Sequence, residues 1–140
     1  MSRGIEILLV EDNPGDVRLT LEALRKGKFP CRVSVAHDGS EALERLRNPR
    51  PKRPDLVLLD LVLPGQSGFE VLAEVKEDEE LRAIPVVVLA ASRNDDDVRR
   101  AYDLHANCYV SKPVDPDGLM DLLRTLEDFW VTVARLPRGE

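Results

Sequence analysis

Four residues carry most of the chemistry legible in this chain: the adjacent pair Glu11 and Asp12, then Asp60, then Lys112. Each stands just after a short apolar run, ending respectively in Val10, Leu59 and Ser111. Three carboxylates held together repel one another unless a cation neutralises them or a proton is retained. Oxygen-only donors suit a hard cation, and Mg²⁺ keeps part of its water and commonly bridges to a phosphate. Lys112 adds a point charge suited to a phosphoryl oxygen. The residues therefore predict an Mg²⁺–phosphoryl site, against the plainer reading that each carboxylate only caps the helix after it.

Such a site needs strands that end side by side. Five apolar runs recur, Ile5–Val10, Cys31–Ala36, Asp55–Leu59, Ile84–Leu89 and Asn107–Val110, each separated from the next by about one helix and its loops. The segments between them have helical spacing. Asn13-Pro14 opens the first, with Val17, Leu21 and Leu24 on one face. Asp38 with Glu41, and Ser67 with Glu70, read as reciprocal caps. Val98, Ala101, Tyr102 and His105 share a face of the fourth, and Asp115-Pro116 opens the fifth, which continues through Leu119, Leu123 and Leu126 to Phe129, Trp130 and Val133. Near-continuous apolar strands alternating with helices predict a doubly wound α/β domain with a parallel sheet buried on both faces. Ligands bind such sheets at the carboxyl ends of the strands, where the four residues would gather.

Composition narrows the function. The chain has 140 residues with 20 Lys and Arg against 26 Asp and Glu, a net charge of -6, which argues against a nucleic-acid backbone as the main partner. The basic, proline-rich stretch from Asn48 to Pro54 has no aromatic interleaving and reads as an exposed loop. The longest apolar run, Val86 to Ala91, is far too short to span a membrane, and the N-terminus is not a signal peptide, so a cytoplasmic protein is expected. There is no dinucleotide fingerprint after the first strand and no phosphate-binding G-x-x-x-x-G-K loop. Gly65-Gln66-Ser67-Gly68-Phe69 misses the nucleophile elbow at its last position, and its glycines read instead as turn formers.

From about Ile5 to Thr125 the chain resembles the receiver domains of two-component response regulators. The resemblance rests on Leu8-Leu9-Val10-Glu11-Asp12-Asn13, on Pro54 to Asp60 followed by Pro64 and Gly68, on Val86–Leu89, and on Tyr109-Val110-Ser111-Lys112-Pro113, in that order. It implies a (βα)5 flavodoxin-like receiver fold with strand order 2-1-3-4-5. It implies that Asp60 accepts a phosphoryl group from a histidine kinase, and that Asp12, Asp60 and the Val62 carbonyl ligate Mg²⁺ with Glu11 assisting through water. Lys112 would pair with the phosphoryl group. The chain departs from the family at the end of the fourth strand, where a Thr or Ser is usual and Ala90 stands. The aromatic partner of that switch is present as Tyr109. By the same resemblance Val62 and Ser92 line the path of the hydrolytic water and set the lifetime of the phosphoryl group. Two other readings stand beside this one. A degenerate receiver would act as a phosphorylation-independent binding module. A haloacid-dehalogenase-type phosphatase would need a second Asp where Val62 stands.

Leu104 to Tyr109 and Glu127 to Val131 with Leu136-Pro137 further resemble the single-domain regulators that partner bacterial and cyanobacterial phytochromes, implying a phytochrome histidine kinase as partner and a homodimer. The expected division is a receiver over residues 1–128 and a C-terminal extension over 129–140. Phe129, Trp130, Val133 and Leu136 run past the point where a receiver is complete, and an exposed apolar surface of that kind marks a partner site. His105 reads as a helix-end histidine rather than a phosphocarrier. Cys31 and Cys108, on strands at opposite edges of a 2-1-3-4-5 sheet, are too far apart for a disulfide and are expected as free thiols. No enzymatic activity beyond assisting its own phosphotransfer and dephosphorylation is expected.

Overall fold

The computed structural model describes residues 4–27, 31–48 and 53–137, so residues 49–52 of the proline-rich stretch lie outside it. Five strands, β1 (Ile5–Val10), β2 (Cys31–Ala36), β3 (Leu56–Leu59), β4 (Val86–Ala90) and β5 (Cys108–Ser111), alternate with five helices, α1 (Pro14–Arg25), α2 (Gly39–Arg47), α3 (Gly68–Glu77), α4 (Asp95–Asp103) and α5 (Pro116–Glu127). The strands form one parallel sheet in the order β2-β1-β3-β4-β5. The three central strands are buried at nearly every position, whereas β2, at one edge, alternates. That pattern follows from a sheet covered on both faces.

The side-chain period of two sorts the strands cleanly. Leu8, Val10, Val57, Leu59, Val86, Val88 and Ala90 pack with Ala42, Leu46, Phe69, Leu72 and Val75 on the α2–α3 side. Ile7, Leu9, Leu56, Leu58, Val87 and Leu89 pack with Ala23, Leu24, Leu119 and Leu123 of α1 and α5.

The helix starts follow their expected caps, with one change of partner. Asn13, Ser67 and Asp115 accept from the helix amides of Asp16, Glu70 and Gly118, and Ser67 with Glu70 makes the full reciprocal box. Asp38 accepts from Glu41, but the Glu41 carboxylate accepts from the His37 amide rather than from Asp38. That backbone bond, with Arg45 nearby, holds the Glu41 carboxyl below its ordinary range.

Two expectations about helix ends need correction. α4 stops at Asp103, so His105 is not on its apolar face. It is exposed, with φ +73, and its amide donates to the Tyr102 carbonyl. The left-handed residue just past a helix satisfies its last carbonyls, a place usually given to Gly or Asn. α5 stops at Glu127, and Asp128–Val133 form a π-helix instead of a further α turn. Trp130 packs on the α1–α5 core cluster and meets Phe129 edge to face at 5.3 Å, while Phe129 stays 49% exposed. The chain then folds back until Pro137 lines a cleft with Pro54, Ile84 and Pro85 at the amino end of β3 and β4. The C-terminal apolar residues are thus partly used by their own domain; the Val133 side chain lies outside the described residues. Cys31 and Cys108 are not joined in a disulfide.

Candidate functional site

At the carboxyl end of the sheet, Glu11, Asp60 and Lys112 continue the alternation of the strand residues that face α1 and α5. They therefore turn to the same side. Glu11 and Asp60 are 3% and 7% exposed. Lys112 Nζ lies 3.0 Å from Glu11 Oε1, 3.4 Å from Asp60 Oδ2 and 2.8 Å from Asp16 Oδ2. Asp12 is exposed and lines the same open pocket of about 680 Å³, as do Pro14, Val62, Ala91, Arg93 and Val114. Val62 and Val114, 79% and 103% exposed, form an apolar rim beside a charged floor.

Asp16 was not among the residues singled out from the sequence, yet it is the shortest contact of Lys112. As the third residue of α1, it occupies the position from which an acid often reaches back to the N-cap amide. Here Glu11 Oε2 accepts from the Asn13 amide instead, and the Asp16 carboxylate turns to Lys112. The alternation that aims Glu11, Asp60 and Lys112 toward α1 is the signal that would have found it.

Electrostatics mark the site as under-compensated. Burial pushes the Glu11 carboxyl up to about 7, helped by a hydrogen bond that its protonated form donates to Asp60 and by the like charge of Asp60, with Lys112 pulling the other way. Burial alone would lower the Lys112 pKa, but Asp16, Asp60 and Glu11 outweigh it and hold the ammonium firmly charged. One ammonium thus faces three carboxylates, Glu11, Asp16 and Asp60, with Asp12 lining the same pocket. Among the described residues no three acidic, His or Cys side chains form a closed metal cage. A partly hydrated hard cation needs only one or two carboxylates, so Asp12 and Asp60 beside an open pocket fit one.

The loop from β3 to α3 is pinned. The Val62 amide donates to Asp60 Oδ1 at 3.2 Å and the Gly68 amide to the Leu61 carbonyl at 2.9 Å. A Cβ on Gly68 would strike the Asp60 carbonyl and Leu61 Cα, whereas Gly65 serves the turn through its φ of +76. Ala90 is buried in the α2–α3–α4 cluster, and its carbonyl accepts from the Lys112 amide at 2.8 Å. Tyr109 Oη donates to the Ser92 carbonyl at 2.8 Å. The Ser92 hydroxyl donates to Asp97 Oδ2 at 2.6 Å and accepts from the Asn94 amide, at the start of α4.

Over residues 7–124 the sequence matches the response regulator receiver domain family. The chain belongs to that family. The receiver is 42% identical over 135 residues to response regulator Rcp1 of Synechocystis sp., covering 94% of this chain and 92% of Rcp1. It is also 42% identical to the probable methanogenesis regulatory protein FilR2 of Methanothrix harundinacea, covering 94% of this chain and 86% of that protein. Among solved structures, the phosphorylated cyanobacterial phytochrome response regulator RcpA superposes with a TM-score of 0.94 at 46% identity, covering 97% of this chain and all of RcpA. The Mn²⁺-bound form of Rcp1 gives 0.92 at 40% identity, covering 96% and 99%. The receiver is therefore homologous to phytochrome response regulators, and nothing in these likenesses favours a phosphatase or a phosphorylation-independent module. No helix among the described residues is long and apolar enough to cross a membrane.

Proposed function

We propose that this receiver works in the cytoplasm as a phosphoryl acceptor in a two-component relay, taking the group onto Asp60 from the phosphohistidine of a phytochrome histidine kinase and signalling through protein contacts. The observation that carries the reading is Lys112, from the far end of the chain, seated within 3.4 Å of both Glu11 and Asp60 among otherwise buried carboxylates. A buried ammonium shared in this way is available to an incoming phosphoryl oxygen. In the transfer, Asp60 Oδ attacks phosphorus, the P–N bond breaks, and its electron pair returns to the imidazole nitrogen of the donor. Asp12 and Asp60, with the Val62 carbonyl, are the residues to hold Mg²⁺, and Glu11 assists through water. When bound, that ion offsets charge on the phosphoryl group. The residues of the chain supply position and electrostatic stabilisation, which is most of what phosphoryl transfer asks of a protein.

Similarity to RcpA and Rcp1 over nearly their whole lengths supports a phytochrome kinase as donor. The equal identity to FilR2 makes the donor a question for direct assay. Incubation with Mg²⁺ and a small phosphodonor such as acetyl phosphate, followed by intact mass, should add one phosphoryl group, and Asp60→Asn should add none. Labelling that persists in that variant overturns the assignment. A phosphorylated phytochrome kinase should pass its label faster than an unrelated kinase. Val62, exposed at the rim and unable to orient water, lengthens the life of the acyl phosphate, and Val62→Asn should lose phosphate several-fold faster.

The chain also pairs with a second copy through Phe129, Trp130, Val133 and Leu136. The support is the half-exposed Phe129 stacked edge to face on Trp130. Deleting residues from Phe129 onward should give a monomer by light scattering, and an intact chain that is already monomeric at micromolar concentration excludes this pairing.

A further inference from the structure

A phosphoryl group on Asp60 brings about two negative charges into a pocket already lined by Glu11, Asp12 and Asp16. On the β4 side the hydroxyls within the reach of such a group are absent or committed. Ala90 has none. The Ser92 hydroxyl donates to Asp97, and those of Tyr109 and Ser111 both donate to the Ser92 carbonyl. The cation on this side of the pocket is Arg93, in the turn between β4 and α4. It is exposed, and among the described residues it has no hydrogen-bond or ion-pair partner, although four carboxylates line the same pocket. A guanidinium carries five donors in a planar fork that matches phosphate oxygens, and its long stem gives it reach.

We propose that Arg93 is a phosphoryl-binding residue, supplying from the β4–α4 turn the hydrogen bonds to the group on Asp60 that Ala90 cannot. The inference rests on the reading of Asp60 as phosphoacceptor. Lys112 then holds the group from the β5 side and Arg93 from the β4 side, with the β3–α3 loop fixing the oxygen to which it is attached. Because Arg93 is unengaged before the group arrives, its interaction is made with the phosphoryl group rather than with the resting site, which favours the phosphorylated state over the free one.

The test uses the full chain and two probes read separately by titration calorimetry: Mg²⁺ alone, and beryllium with excess fluoride in saturating Mg²⁺ as a phosphoryl mimic. Removing a cation beside the pocket should leave Mg²⁺ affinity unchanged or slightly tighter in Arg93→Ala. The same variant should bind the phosphoryl mimic about tenfold more weakly, the loss expected for a charged hydrogen bond. Arg93→Lys, which keeps the charge and loses the fork, should recover part of that loss. These opposed responses support the inference. An Arg93→Ala variant that binds the mimic as tightly as the parent overturns it, and so does one in which both affinities fall and lysine restores neither, since that marks a loop that has lost its shape. Should the parent chain itself bind no mimic, or Asp60→Asn bind it equally well, the reading of Asp60 fails first and the role of Arg93 falls with it.

Discussion

The two ends of the sheet handle polar groups in different ways. At the amino end, side chains bond to backbone. Asp55 Oδ2 accepts from the Glu6 amide while the Asp55 amide donates to the Glu6 carbonyl. Asn107 Oδ1 accepts from the Val86 amide at 2.8 Å and from Lys76 Nζ, which also donates to the carbonyls of Arg82 and Ile84. At the carboxyl end, side-chain charge meets side-chain charge across most of the chain: Lys112 reaches Glu11, Asp16 and Asp60, with a carboxyl pushed up to about 7 in their midst. The first pattern fixes where strands begin. The second leaves strong charges imperfectly matched until a ligand arrives, at a cost in stability that the rest of the fold must carry.

The sharpest way to break this contrast is Gly68→Ala. Alanine is the better helix former, so on propensity alone the change stabilises. The added Cβ would meet the backbone of Asp60 and Leu61, which cannot step aside without moving the phosphoacceptor loop. The close approach should win, costing ~3 kcal/mol by urea unfolding, with Asp60 labelling reduced as well. An unchanged or raised stability would mean that the loop yields easily and that the carboxyl end is less tightly built than argued.

Asn107→Ala should cost about 2 kcal/mol, because the Val86 amide loses its acceptor and Lys76 one of three. Phosphorylation of Asp60 should survive once the variant is folded. Lost labelling at full folding would mean that the two ends are coupled and that the comparison is too simple.

Much of this architecture is legible in the sequence, for identifiable reasons. The strands are short apolar runs, and Asn13, Asp38, Ser67 and Asp115 act through local bonds to nearby amides. Asp60 and Lys112 stand at strand ends, which a parallel sheet gathers whatever the loops do. What was not legible depends on direction rather than order. Asp16 joins the site through the side to which a strand residue turns and the choice of a different capping partner. The bond of the Ser92 hydroxyl to Asp97 likewise depends on the way a side chain turns. The π-helix at Asp128–Val133 keeps the apolar pattern of α5 while changing its hydrogen bonding, a change that apolar spacing alone does not reveal.

Glu11→Gln should separate function from stability at the carboxyl end. It removes one like charge from beside Asp60, and Lys112 keeps Asp16 and Asp60 as partners. The metal-free protein should gain about 1 kcal/mol, while Mg²⁺ affinity by calorimetry falls several-fold. A variant both less stable and weaker for Mg²⁺ would show that Glu11 is a structural partner of Lys112 rather than a charge held ready for a ligand.

The smallest effect is expected at the amino end, where Cys31 starts the edge strand β2. Burial, and after it the charge of Glu127, pushes its thiol from 9.0 up to about 11. An acid whose folded pKa is raised keeps its proton more firmly in the folded state, so its contribution to stability is present below pH 9 and is lost as pH rises toward 11. The thiolate is the reactive form, and at pH 8 its fraction falls about a hundredfold relative to the unfolded chain. The more basic thiolate is also the better nucleophile, which returns roughly a factor of ten. Alkylation of Cys31 by iodoacetamide, followed by peptide mass, should therefore run ~tenfold slower in the folded protein than in urea, with Glu127→Gln recovering part of the difference. Equal rates in both states would mean that the amino end is open at Cys31, and that its backbone-bonded polar groups do not close it to solvent.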